Sequence, residues 1–234
     1  IFPIGEIENL LSLGDWAYTS GNLEFFGMCS FMKGGLVFAD EITTVSPTYA
    51  EEIQTAYYGE RLDGLLCSRA DHMAGILNGI DTAVFDPAHD GGIAAPYSAD
   101  DLSGKAVCRA ALCRELGLEI GAHTPIVAMV TRITPQKGFD LVQCVLDELM
   151  DSEDMAFVLL GTGNAEYEDF MRSAEWRHKG RLCAYIGYDE ALSHRVYAGS
   201  DFLLMPSSFE PCGLSQMIAM RYGTLPIVRE TGGL

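Results

Sequence analysis

From about Leu102 onward the chain alternates short apolar β-rich runs with amphipathic helical patterns, and no other feature restricts the fold as strongly. The apolar runs are 125–131, 156–160, 182–186, 202–205 and 225–228. Helical periodicity falls between them at 139–150, 165–176, 191–198 and 214–222. In the first of these helices the apolar positions are Leu141, Val142, Val145, Leu146 and Leu149. Strands that are apolar throughout, joined by helices, imply βαβ units: a parallel sheet covered on both faces. The expected fold class is therefore α/β with a doubly wound parallel sheet.

The first third is less regular. A stretch rich in Gly, Asn and Tyr at 14–27 precedes an expected helix at 30–39 and a strand at 41–45. Ser46 is a natural N-cap and Pro47 fits the first helical position, which predicts a helix running to Thr55. A further strand is expected at 75–79, and the Pro/Gly/Ala-rich segment 81–101 has no periodicity and reads as a linker. The division expected is thus 1–80, a linker at 81–101, and 102–234.

Thirty-three acidic residues against 15 basic ones give a formal charge of −18, which argues against a nucleic-acid partner. No apolar run approaches the roughly 20 residues that span a bilayer, so no membrane partner is expected. The opening Ile-Phe-Pro-Ile-Gly-Glu does not resemble a signal peptide, and the chain reads as a soluble piece of something longer. Seven scattered cysteines without a C-x-x-C pair fit a reducing, cytoplasmic setting, with thiols serving mainly as small core residues.

In an open parallel sheet ligands bind beyond the carboxyl ends of the strands, so the residues just after each apolar run carry the information. After 125–131 comes Arg132-Ile-Thr-Pro-Gln-Lys137-Gly138. A guanidinium and an ammonium around a turn at a helix N-terminus suit a diphosphate. The competing reading is a solvated loop whose charges balance nearby carboxylates. After 156–160 comes Gly161-Thr162-Gly163-Asn164, a weak motif that also serves simple tight turns. Tyr188, after the third run, could stack on a nucleobase or merely pack. His194, mid-helix, reads as structural. The richest stretch is Ser207-Ser-Phe-Glu210-Pro-Cys212-Gly213-Leu214-Ser215-Gln216. It combines a carboxylate, a glycine and a helix start, a set suited to holding a sugar's hydroxyls beside an anion; Glu210 as a simple capping acid is the competing reading.

These residues carry a resemblance. The runs 42–50, 75–81, 132–138, 207–216, 222–229 and 231–234 are, in this order, similar to those of the ADP-glucose-dependent starch and glycogen synthase family. The resemblance implies a GT-B glycosyltransferase of two Rossmann-like lobes, here the end of the N-terminal lobe and most of the C-terminal one. It implies transfer of glucose from an ADP-glucose donor to the 4-hydroxyl at the non-reducing end of an α-1,4-glucan such as glycogen, with retention. It calls for no cofactor and no metal.

On this resemblance Arg132 and Lys137 hold the diphosphate and Glu210 aligns the transferred glucose. Gly161 and Thr162 belong to the nucleotide loop, and Tyr188 stacks near adenine. Cys212 lines the pocket. Gly213, Leu214 and Ser215 bind phosphate, and Thr231, Gly232 and Gly233 lie near the sugar phosphate. Ile218 stands where related retaining transferases place a second glutamate. The family's N-terminal Lys-x-Gly-Gly-Leu loop is missing. Lys33-Gly34-Gly35-Leu36 sits where the family has Phe-x-Lys-x-Gly-Leu, so no donor role falls to it. These 234 residues are therefore expected to be inactive alone. The competing functions are a glucan phosphorylase-like enzyme, with pyridoxal phosphate on a lysine, and a non-catalytic nucleotide-binding paralogue.

Overall fold

The computed structural model describes every residue from Ile1 to Leu234. The chain forms two compact units, Ile1–Leu77 and a second that starts at Asn78.

The first unit is built from short pieces: α1 (Glu6–Leu11), α2 (Trp16–Thr19), β1 (Glu24–Phe25), β2 (Met28–Cys29), α3 (Phe31–Phe38), β3 (Ile42–Thr44), α4 (Pro47–Glu52), α5 (Asp63–Ser68) and β4 (Met73–Gly75). Its caps follow the sequence. Ser30 Oγ accepts from Lys33 N at 3.1 Å to open α3, and Ser46 Oγ accepts from Tyr49 N at 2.9 Å to open α4, with Pro47 in the first turn. The strand expected at 75–79 lies two residues earlier. Parallel pairing with β3 runs only from Ile42↔Met73 to Thr44↔Gly75, because Ser46 and Pro47 then turn the chain into α4 and leave nothing to pair with beyond Ile76.

The second unit contains α6 (Ser103–Leu116), β5 (Ile126–Val130), α7 (Phe139–Ser152), β6 (Ala156–Gly161), α8 (Ala165–Arg177), β7 (Leu182–Ile186), α9 (Glu190–Gly199), β8 (Phe202–Met205), α10 (Ser215–Arg221) and β9 (Leu225–Val228). All five strands are parallel, in the order β7-β6-β5-β8-β9. The chain therefore winds outward from β5 in one direction, returns, and winds outward in the other. The pair β5/β8 is the topological switch point, where loops from neighbouring strands diverge and leave a crevice.

Alternation along β6 shows how the core is layered. Ala156, Val158 and Leu160 face one layer with Leu112, Leu192, Val196, Leu203 and Tyr222. Phe157 and Leu159 face the other with Val142, Leu146, Met150, Met171 and Ala174. Every residue of β6 is buried, as expected for an interior strand of a sheet covered on both sides.

Helix α7 corrects the expected apolar face. It buries Phe139, Val142, Leu146 and Met150, while Leu141, Val145 and Leu149 stay exposed, because the i, i+3/i+4 row that meets the sheet starts at Phe139. Helix α6 has no clear apolar periodicity because its buried positions include the small Gly104 and Cys108 beside Leu112. The thiols are unpaired and divide: Cys29, Cys108, Cys183 and Cys212 are buried, whereas Cys67 and Cys144 are exposed. No helix is long and apolar enough to cross a membrane.

Segment 81–101, expected as a linker, is fastened to the second unit. Tyr97 is buried and donates its hydroxyl hydrogen to Tyr222 O at 2.8 Å, and the Asp90 carboxylate accepts from Tyr222 and His194. Irregular backbone here is stabilised by side-chain anchors, which leave no periodic trace in a sequence.

Candidate functional site

The loops after β5 and β8 meet at the switch point. Ile133 is fully buried and fixes the first loop, whose backbone is stitched to the loop after β6: Ile133 N donates to Thr162 O at 2.9 Å and Asn164 N donates to Ile133 O at 2.8 Å. Glycines 161 and 163 permit this approach, since a Cβ at either would strike the carbonyls of Thr131 and Ile133. The Gly-Thr-Gly motif thus has a packing reason. Thr162 Oγ1 and Gly163 N both donate to Glu168 Oε1 at 2.8 Å, and those hydrogen bonds hold the Glu168 carboxyl below its ordinary value.

Lys137 and Glu210 come together across the crevice. The chain turns into α7 at Gly138 with φ +77°, and a Cβ there would strike the Pro206 carbonyl, so glycine lets the two loops close up. Ser208 N then donates to Gln136 O at 2.9 Å and Gln136 Nε2 to Phe209 O at 3.3 Å. This seam leaves Lys137 Nζ ion-paired with Glu210 Oε2, which also accepts from Ser207 Oγ at 3.0 Å. The Glu210 residue is only 6% exposed and Ser207 1%. Such a buried carboxylate needs the ammonium, because removing it leaves an unpaired charge, and the Ser207 hydroxyl adds a second donor to the same oxygen.

The other residues singled out from sequence fall into three places. Arg132 is exposed, reaches Gln136 Oε1 at 3.3 Å, and is not drawn to Glu210. Instead it lines a cavity of about 330 Å³ at the carboxyl ends of β5, β6 and β7, together with Thr162 and Tyr188. Tyr188 is 86% exposed on the edge of that cavity. Cys212 is buried and forms no part of the cavity wall. Gly213 has φ +72° and is clasped by Gln216, whose Nε2 donates to the carbonyls of Cys212 and Gly213. Leu214 precedes α10 without a side-chain cap, so first-turn amides of that helix lack a capping acceptor. Ser215 Oγ is taken up by Val130 O at 3.3 Å. Thr231 is buried, and Leu234 N closes a turn over Gly232 and Gly233 by donating to Thr231 O. Gly232 presses on the Glu210 backbone, where a Cβ would strike the Glu210 carbonyl.

Sequence reasoning missed Phe85, Asp189, Ser193 and Tyr197 in the cavity wall. Phe85 lies in the segment taken for a linker, and the others lie on α9 or at its N-cap, where only the structure shows which face meets the cavity. His194 is structural, as expected, through Asp90 and Tyr222. No group of three His, Cys, Asp or Glu side chains converges to hold a metal ion.

Lys137 and Glu210 thus place paired charge at the switch point of a parallel sheet, where open α/β folds bind their ligands. Residues 118–234 match the family model "Glycosyl transferases group 1" and residues 1–68 match "Starch synthase catalytic domain". The chain belongs to the group 1 glycosyltransferases, α/β proteins of GT-B type. Within that class it is a homologue of the glycogen synthases. Those of Geobacillus thermodenitrificans and Geobacillus stearothermophilus are each 56% identical to it over all 234 residues, which cover 48% of either relative. The chain thus spans about half the length of the curated relatives it matches. Among solved structures, the catalytic domain of starch synthase IV from Arabidopsis thaliana, bound to ADP and acarbose, is similar with a TM-score of 0.82 and 42% identity. That match covers 87% of this chain and 42% of the other. Sucrose-phosphate synthase from Thermosynechococcus elongatus shares the fold, with a TM-score of 0.59, 21% identity, and coverage of 94% and 49%.

Proposed function

We propose that this chain carries the donor-binding part of a glycogen synthase, which transfers glucose from ADP-glucose to the 4-hydroxyl at the non-reducing end of an α-1,4-glucan, with retention. The observation that carries the proposal is the junction of Lys137 with Glu210 at the β5/β8 switch point, in a chain 56% identical throughout to glycogen synthases.

The chemistry follows from charge. A departing nucleoside diphosphate accumulates negative charge as the glycosidic bond breaks, and preorganised cations lower that barrier more than any other device available here. Lys137 is the ammonium for this purpose, Arg132 extends the positive surface toward the cavity, and the amides of Leu214 and Ser215, with Gly213, donate to phosphate oxygens. Glu210, held by Ser207, aligns the glucosyl group. Gly161 and Thr162 shape the nucleotide loop, and the exposed face of Tyr188 is available to a nucleobase. Thr231, Gly232 and Gly233 back the sugar phosphate, and Cys212 supports the loop from beneath. The leaving phosphate itself assists deprotonation of the acceptor hydroxyl. Unpaired thiols fit a reducing, cytoplasmic setting, and a formal charge of −18 fits a neutral polymer as acceptor.

The test is donor turnover by a full-length enzyme carrying these 234 residues, with ADP-glucose and UDP-glucose compared side by side, and ADP affinity of the chain alone by calorimetry. ADP binding by the chain with glucosyl transfer only in the full-length enzyme is the expected result. No transfer from either donor by that enzyme would overturn the assignment.

A further inference from the structure

The segment from Asp81 to Asp101 does more than connect. It is held from α10, where Arg221 Nε donates to the backbone Phe85 O at 3.2 Å and Nη2 to the side-chain Asp86 Oδ1 at 3.0 Å. Five residues on, the Asp90 carboxylate accepts on a single oxygen, Oδ2, from the Tyr222 hydroxyl at 2.5 Å and from His194 Nδ1 at 2.7 Å, while Oδ1 accepts from Gly92 N at 2.8 Å. Burial alone would raise the Asp90 carboxyl, but these donors outweigh it and hold it below its ordinary value, so an ionised acceptor faces His194 and the ring's Nδ1 carries the hydrogen.

The imidazole held in this way is a platform. Phe85 is stacked on it with ring centroids 5.1 Å apart and planes 26° from parallel. Phe85 also lines the same cavity as Arg132, Thr162 and Tyr188. The order of contact runs from a buried carboxylate to a fixed imidazole, to an aromatic ring, to the cavity. A hydrogen-bonded network of this kind rigidifies its members, and a ring clamped on one side presents its remaining surface without a further entropic cost of ordering.

We propose that Phe85 is a binding residue for the nucleoside end of the donor, and that Asp90 and His194 are positioning residues that act through it. This rests on the nucleotide-sugar reading given above. An aromatic surface in a largely apolar cavity selects the flat face of a base and offers nothing to a bare diphosphate, which separates this role from that of Lys137.

The experiment measures the affinity of the chain for ADP and for inorganic pyrophosphate by calorimetry, with thermal unfolding recorded for each variant. Phe85→Ala weakens ADP binding about tenfold and leaves pyrophosphate within about twofold. His194→Ala weakens ADP binding by about fivefold, and His194→Phe, which keeps a ring beneath Phe85 but loses the hydrogen bond accepted by Asp90, weakens it by less than His194→Ala. Asp90→Asn follows His194→Ala in direction. Should Phe85→Ala fail to fold, Phe85→Leu preserves apolar volume without the ring and is expected to lose ADP affinity selectively. Wild-type ADP affinity in both Phe85 variants, or equal loss of ADP and pyrophosphate, would overturn this inference while leaving the donor reading intact. A wild-type chain that binds no ADP would overturn both.

Discussion

Two lysine–glycine segments in this chain have similar letters and opposite settings. Lys33-Gly34-Gly35-Leu36 lies inside α3 of the first unit, where Lys33 Nζ donates to Glu24 O at 2.7 Å and Gly34 is buried against Leu23. Lys137-Gly138 follows β5 of the second unit, at the mouth of a parallel sheet, with its ammonium on Glu210. The first lysine stabilises a neighbouring turn by satisfying a carbonyl. The second keeps charge at a place where several strands deliver their loops together. The difference extends to the surrounding cores: the buried apolar cluster of the first unit is Ile7, Ala17, Leu23 and Cys29, while the second has a continuous layer on each face of its sheet. A site that must hold two opposite charges with little water around them needs the rigid backing that only the second unit has.

The contrast can be broken or sharpened by measurement. The largest effect is expected from Glu210→Ala in the full-length enzyme, where kcat falls by about 10²–10³ because contacts that strengthen as the glucosyl cation develops are lost. A rise in donor KM with unchanged kcat would make Glu210 a binding residue only. Next is core truncation. Leu203→Ala on the interior strand β8 is expected to destabilise the second unit by about 3 kcal/mol, since the covered sheet cannot collapse around the cavity. The urea midpoint measures this, and a loss below about 1 kcal/mol would show that the sheet is not the rigid element argued for.

The lysine pair follows. Lys137→Ala is expected to weaken ADP affinity by about tenfold or more, and Lys33→Ala by less than about twofold. Equal losses would erase the distinction between the two segments.

The smallest effect concerns alkaline pH. Burial pushes the Cys183 thiol and the Tyr197 hydroxyl of the second unit each up to about 12. In the unfolded chain these groups lose their protons near ordinary values, so their contribution is fully present below about pH 9 and is lost as pH rises toward 12. Hydrogen exchange in β7 and α9 should therefore accelerate between pH 9 and 11, after correction for intrinsic rates. Unchanged protection there would count against burial of these two side chains.

Legibility in the sequence followed periodicity. β7, β8 and β9 lie where their apolar runs stand, since a strand covered on both faces must be apolar throughout and few residues can substitute. Short pieces with little burial were harder. α1, α2 and α5 each bury one residue, too few to leave a periodic signal, and the strand near residue 75 was displaced because pairing, not composition, set its ends. Among the candidate site residues, Lys137 and Glu210 could be singled out because strand ends and helix starts are visible locally. The place of Phe85 in the cavity wall was invisible because it depends on stacking against a histidine more than a hundred residues later in the chain.

The alternation that restricts the fold was therefore readable from residues alone: hydrophobic spacing is a local property, and from it follow the parallel sheet and the loops that bear chemistry. Which of those loops meet was not readable. Pairing Lys137 with Glu210, sending Arg132 to the cavity instead, and turning an apparent linker into a cavity wall all depend on strand order and on backbone approaches at Gly138, Gly161 and Gly232. Contacts between distant segments become favourable only once the sheet has already brought them together, and no single stretch of sequence contains that information.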